Sequence, residues 1–267
     1  MLNSLAKLCY RLIGALLACG MLFHAVRVRA ETIPVRHLEG ESHGFLVLRT
    51  VEGRSVAIGD WVEIGTCTRM TLRLMFHFND GSLYDETTVF SQRRAFRLLS
   101  DHLIEKGPSF KQPVETWIDG ATGQFKARYT DKDGKQKFLS QKLELPADVA
   151  NGLVPILLKD IDPKAAQTTV SMVAATPKPR IVHLIITPHG EQSFFVDTSQ
   201  RAAIHYVIKV DIGGAAGVVA PLAGKQPANS DAWIIGGPAP ALVREQGPLY
   251  EDGPIWTIVP MAPKWPK

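Results

Sequence analysis

The stretch Arg69–Gln92, RMTLRLMFHF, NDGS, LYDETTVFSQ, limits the fold more than any other part of the chain. In its first arm Met70, Leu72, Leu74, Phe76 and Phe78 share one face of an extended backbone. Arg69, Thr71, Arg73 and His77 share the other, interrupted by Met75. A helix cannot sort side chains with a period of two. Asp80-Gly81 between the arms predicts a two-residue hairpin turn, because Gly tolerates positive φ. The flanking segments extend the pattern from about residue 43 to 140. GFLVLRT leads through the turn VEGR into WVEIGTCT. RAFRLLSDHLIE reads as a further strand, although its composition also suits a helix. QFKARYT, DKDG and KQKFLSQKLEL form a second hairpin.

The alternation then stops. LPADVANGLVPILLKDI predicts a buried helix over about residues 146–160, with Pro146 at its first position and Val149, Leu153, Ile156 and Leu157 on one face. Gly152 and Pro155 weaken or kink it. Strands resume at TTVSMVAA and at IVHLIITP, whose two apolar faces predict a central strand. After HGEQ come SFFVDT and AAIHYVIKVDI, and a Gly- and Pro-rich tail from Gly213 holds short β pieces at DAWII, ALVRE and PIWTIV. The expected fold is mainly β. It is a large curved or partly closed antiparallel sheet with one main buried helix, in a single domain over 31–267 with no clear internal repeat.

Residues 1–30 have the form of a signal peptide. Lys7 and Arg11 precede the apolar run Leu12–Phe23, and VRA at Val28–Ala30 places the cut before Glu31, so the mature chain is expected to be periplasmic or secreted. Two alternatives stay open: a lipid anchor on Cys19, which ends the lipobox-like LLAC, and an uncleaved N-terminal anchor. Lys7, Arg11, Arg27 and Arg29 account for the whole formal charge of +4, so the mature chain is neutral and no basic face for nucleic acid is expected. Of three cysteines only Cys67 survives the cut, and it cannot form an internal disulfide. Cys67 reads as a buried small residue rather than a nucleophile.

Two motifs fail their context. GESHG at Gly40–Gly44 fits the G-x-S-x-G nucleophile elbow, but a strand and not a helix follows it, and no β/α units precede it. IGGAAGVVAPLAGKQP has Val219 and Gln226 where a Walker loop needs Gly and Ser or Thr, and Ile212 where a dinucleotide loop needs its first Gly. The histidines show no metal-ligand spacing, so no metal or cofactor is expected.

One constellation remains. A two-residue turn at Asp80-Gly81 would set His77 opposite Tyr84, Met75 opposite Glu86 and Arg73 opposite Thr88, gathering Arg73, His77, Tyr84 and Glu86 on one face. That face is either solvated or the lining of a concave cavity. Lys225 is a further candidate for contact with an anionic ligand.

The stretches FNDGSLYDETTVFSQRRAFRLLSDHLIEKGPSF, LELPADVANG, TPKPRIVHLIITP and GKQPANSDAWIIGGPAPALVREQGPLYEDGPIW together resemble a family of exported bacterial proteins with no assigned function, from about His43 to Trp256. The resemblance brings no catalytic residues. At the level of architecture alone, export, a curved sheet and a buried helix are similar to periplasmic lipoprotein carriers, none of whose specific motifs is matched. The expectation is a non-enzymatic exported protein that binds an apolar or amphipathic, lipid-like ligand. The alternatives are an envelope hydrolase or isomerase with a site assembled by the fold, and a structural or assembly protein with an envelope protein as partner. A hydrophobic cavity would favour binding, and Glu86 within hydrogen-bond reach of a His would favour chemistry. The oligomeric state is not legible.

Overall fold

The computed structural model describes residues 32–131, 133–174, 179–196, 199–213 and 226–261. Residues 1–31, with the expected signal peptide and Cys19, lie outside the described residues, as do Lys225 and most of the Gly-rich segment around it. Fourteen antiparallel strands form one sheet. They are β1 (Ser42–Thr50), β2 (Ser55–Thr66), β3 (Arg69–Phe78), β4 (Leu83–Gln92), β5 (Phe96–Lys106), β6 (Val114–Asp119), β7 (Gln124–Thr130), β8 (Gln136–Lys142), β9 (Thr168–Ala174), β10 (Arg180–Val196), β11 (Ser199–Asp211), β12 (Ser230–Ile235), β13 (Ala241–Gly247) and β14 (Trp256–Met261). The order is β8-β7-β6-β5-β4-β3-β2-β1-β14-β13-β12-β11-β10-β9: two meanders joined where β1 pairs with β14. The edges β8 and β9 do not pair, so the sheet is curved and open, not a closed barrel.

This topology makes one connection long. The chain leaves one edge at β8 and re-enters at the opposite edge as β9, so residues 143–167 must cross from one to the other. That crossing carries the helix among the described residues, α1 (Val154–Asp160). Ile156, Leu157 and Leu158 are buried in one cluster with Met70, Leu72 and Phe90 of β3–β4 and with Val170, Leu184 and Ile186 of β9–β10. Both meanders therefore bend round the helix. The helix is shorter than the expected 146–160. Pro155, not Pro146, lies in its first turn, where a missing N–H is harmless. The preceding segment serves the β9 edge instead. Asp148 Oδ2 accepts from the N–H and hydroxyl of Ser171, at 2.9 and 3.0 Å. Asn151 pairs through both ends of its amide with the N–H and C=O of Val173, at 2.8 Å each. A helix through these residues would leave that edge bare.

Other expectations are corrected in part and met in part. IVHLIITP lies in β10, next to the edge and not central, and β10 runs on through HGEQ with a bulge between Pro188 and Glu191. RAFRLLSDHLIE is strand β5. A bulge opposite Val89 and Phe90 changes its phase, so Phe96 and Leu98 point inward before it and Asp101, Leu103 and Glu105 after it. Cys67 is exposed, because it stands in the β2–β3 turn and not within a strand. GESHG runs into β1, as expected of a turn before a strand. Among the described residues no helix is long and apolar enough to cross a membrane.

The two meanders also carry matched outer-face clusters. His102 stacks on Trp117 (5.1 Å, 10° between planes), meets Glu115 at 3.0 Å, and Arg128 lies over the indole. Six strands along, His205 stacks on Trp233 (4.6 Å, 6°), meets Asp231 at 2.7 Å, and Arg244 lies over that indole. In both, acid-x-Trp is followed by Arg eleven residues after the Trp.

Candidate functional site

The β3–β4 hairpin decides which side chains face inward. Its turn holds three residues, not two. The Gly81 N–H donates to Phe78 O (3.1 Å), and the Phe78 N–H donates to Ser82 O (3.0 Å). Gly81 has φ +84°, while Asp80 keeps the negative φ that a two-residue type I′ turn forbids. The added residue sets His77 opposite Leu83, Leu74 opposite Glu86 and Arg73 opposite Thr87. A shift of one residue exchanges the faces of a whole strand. The expected face is thus divided. Arg73 and His77 lie on the outer face, where Arg73 donates to both carboxylate oxygens of Asp85, at 2.8 and 2.7 Å. Tyr84 and Glu86 lie on the inner face. Lys225 is outside the described residues.

The inner face lines an open cavity of about 550 Å³. Its walls draw on both core clusters: Leu72, Leu184 and Ile208 from the one round the helix, and Tyr84, Leu103 and Ile258 from the other. Val154 and Pro155 bring the start of α1 to its side. Gly152, with φ +64°, sits against β4 and β5. A Cβ there would stand 1.9 Å from Thr88 Oγ1, which donates to Asp101 Oδ1 at 2.8 Å.

Three carboxyls enter this apolar space. Glu86 of β4 accepts a 2.8 Å hydrogen bond from the Tyr84 hydroxyl. Glu105 of β5 pairs across from Tyr84, diagonal to Glu86. Glu245 comes from β13 of the other meander. Glu105 is only 6% exposed, and among the described residues it has neither a hydrogen-bond partner nor an ion pair. Burial, and then the charge of Glu86, push Glu105 up to about 8 and Glu245 up to about 7. Burial also raises Glu86, while the Tyr84 hydrogen bond opposes it. Asp101, beneath Thr88, is raised by burial and by Glu86. The two cations of the lining are engaged elsewhere: Lys111 donates to Asp252 O at 3.0 Å, and Arg180 meets Glu251 at 3.6 Å.

Glu105, Glu245 and Asp101 escape the sequence reading. The bulge hides the inward phase of Asp101, Leu103 and Glu105, and Glu245 stands in a short strand where no alternation marks a face. No histidine or cysteine is among the described residues that line the cavity. Among the described residues no three His, Cys, Asp or Glu side chains converge closely enough to hold a metal ion. Comparisons with family models, with curated proteins and with solved structures find no match to this chain.

Proposed function

We propose that this is an exported protein that binds an apolar or amphipathic ligand inside the curved sheet. The observation that carries this reading is the cavity, about 550 Å³ and walled by aliphatic and aromatic side chains from both meanders. Its volume falls within the roughly 300–1,000 Å³ of small-molecule sites. The leader-like pattern of residues 1–30 supports export to the periplasm or beyond. The hydrolase or isomerase alternative needs a His beside Glu86, and the partner of Glu86 is the Tyr84 hydroxyl. Native mass spectrometry of chain purified without detergent, followed by organic extraction, tests the reading. The expected result is a discrete added mass that extracts with solvent. A bare protein mass, together with no binding of any alkyl probe, would overturn it.

A further inference from the structure

The cavity combines features that an apolar ligand alone does not explain. Glu105 is more than nine-tenths buried, faces the cavity and has no partner among the described residues. Glu86 and Glu245 converge on the same space from opposite meanders. Each ionised carboxyl there disfavours ionisation of the others, since burial weakens the screening that water would give. The cations of the lining, Lys111 and Arg180, are exposed to solvent: Lys111 donates to the backbone carbonyl of Asp252, and Arg180 meets Glu251. An anionic headgroup at the buried part of the lining would meet Glu86, Glu105 and Glu245, while Lys111 and Arg180 stand among its exposed residues. A neutral headgroup would leave the carboxyls protonated and gain no charge pairing. One cation beside Glu105 lowers the repulsion between ionised carboxyls and gives Glu105 a partner.

We infer that the ligand is a cationic amphiphile, an amine joined to an apolar chain, whose ammonium group lies among Glu86, Glu105 and Glu245 while its chain lies along Leu72, Leu103 and Leu184. This rests on the cavity being a binding site for apolar or amphipathic molecules. The carboxyls are raised when the cavity is empty, so binding a cation ionises them and releases protons to solvent.

Calorimetric titration of the mature chain with decylamine, decanol and decanoate, each below its micelle concentration and near neutral pH, tests both steps. Decylamine is expected to bind at least about tenfold more tightly than decanol, with decanoate weakest. Titrations in two buffers of different ionisation heat should show proton release with decylamine alone. Glu105→Gln should weaken decylamine about tenfold and leave decanol unchanged. Glu245→Gln supplies the same comparison should the first variant fold poorly. Decanol or decanoate binding as tightly as decylamine, or variants that weaken all probes equally, would overturn the cationic headgroup and leave the cavity reading standing. If none of the three binds, the cavity reading itself fails.

Discussion

Glu105 is buried, ionisable and without a partner among the described residues, so its protonation is tied to folding. Its carboxyl is raised from 4.5 to about 8 in the native chain. The native state therefore holds a proton that the unfolded chain gives up, and the stability this brings is full below about pH 4.5 and lost as pH rises to about 8. Across that window one such carboxyl lowers stability by about 1.4 kcal/mol per pH unit. Glu245, raised to about 7, acts in the same direction over a narrower range. Denaturant unfolding at several pH values should show stability falling towards pH 8, and Glu105→Gln should flatten the slope by about that amount. An unchanged slope in the variant would mean that Glu105 is solvated in the native chain. The inward direction of Glu86 was not read from the sequence: it shares its alternation with the buried Tyr84, Thr88 and Phe90, but the expected register grouped it with Arg73 and His77. What hid it was one residue of turn. The dipeptide Asp80-Gly81 fits both a two-residue turn and a three-residue turn with Gly left-handed, and the pattern of the strands had to choose between them.

At the scale of elements, alternation was a sound guide wherever a strand kept one phase and a poor one where it changed. The β3–β4 pair and the β7–β8 hairpin were readable for the first reason. In β5 the bulge merges two phases, so that Phe96, Leu98, Leu99 and Leu103 imitate a helical stripe. The helix was overextended for a different reason. Residues 146–153 are as apolar as a helix, but Asp148 and Asn151 are bound to the β9 edge, a partner distant in sequence. Gly152 marks the bend between these two roles. Its φ of +64° favours glycine, and any Cβ would overlap the Thr88 hydroxyl against which the segment packs. Gly152→Ala combines backbone strain with displacement of the buried Thr88–Asp101 hydrogen bond. It should cost about 2 kcal/mol or more, read as a lowered midpoint of unfolding. A variant as stable as the parent would show that the segment does not lie against β4 and β5.

For the whole molecule, the question is what holds fourteen strands together when the sheet does not close. The matched His-Trp clusters on β5–β7 and β11–β13 recur six strands along the chain and eight across the sheet, on strands of the same direction, which gives the two meanders a common local plan. They lie on the outer face and do not connect the halves. Three features do: the β1–β14 pairing, the second core cluster that packs Phe76, Phe78 and Leu103 against Trp256 and Ile258, and the helix, which the other buried cluster joins to β3–β7 on one side and to β9–β12 on the other. Ile156 is fully buried in that cluster. Truncating it leaves a cavity shared by both meanders, so Ile156→Ala should cost about 2–5 kcal/mol. If the helix couples the halves, the loss will fall on a single transition. Far-ultraviolet dichroism reports the sheet, and near-ultraviolet dichroism reports the five tryptophans, among them Trp61 and Trp117 of the first meander and Trp233 and Trp256 of the second. Both signals should move together to lower denaturant, in parent and variant alike. Two separated transitions in the parent would show that the meanders are independent units. Separation in the variant alone would show that the helix, rather than the β1–β14 pairing, makes them one.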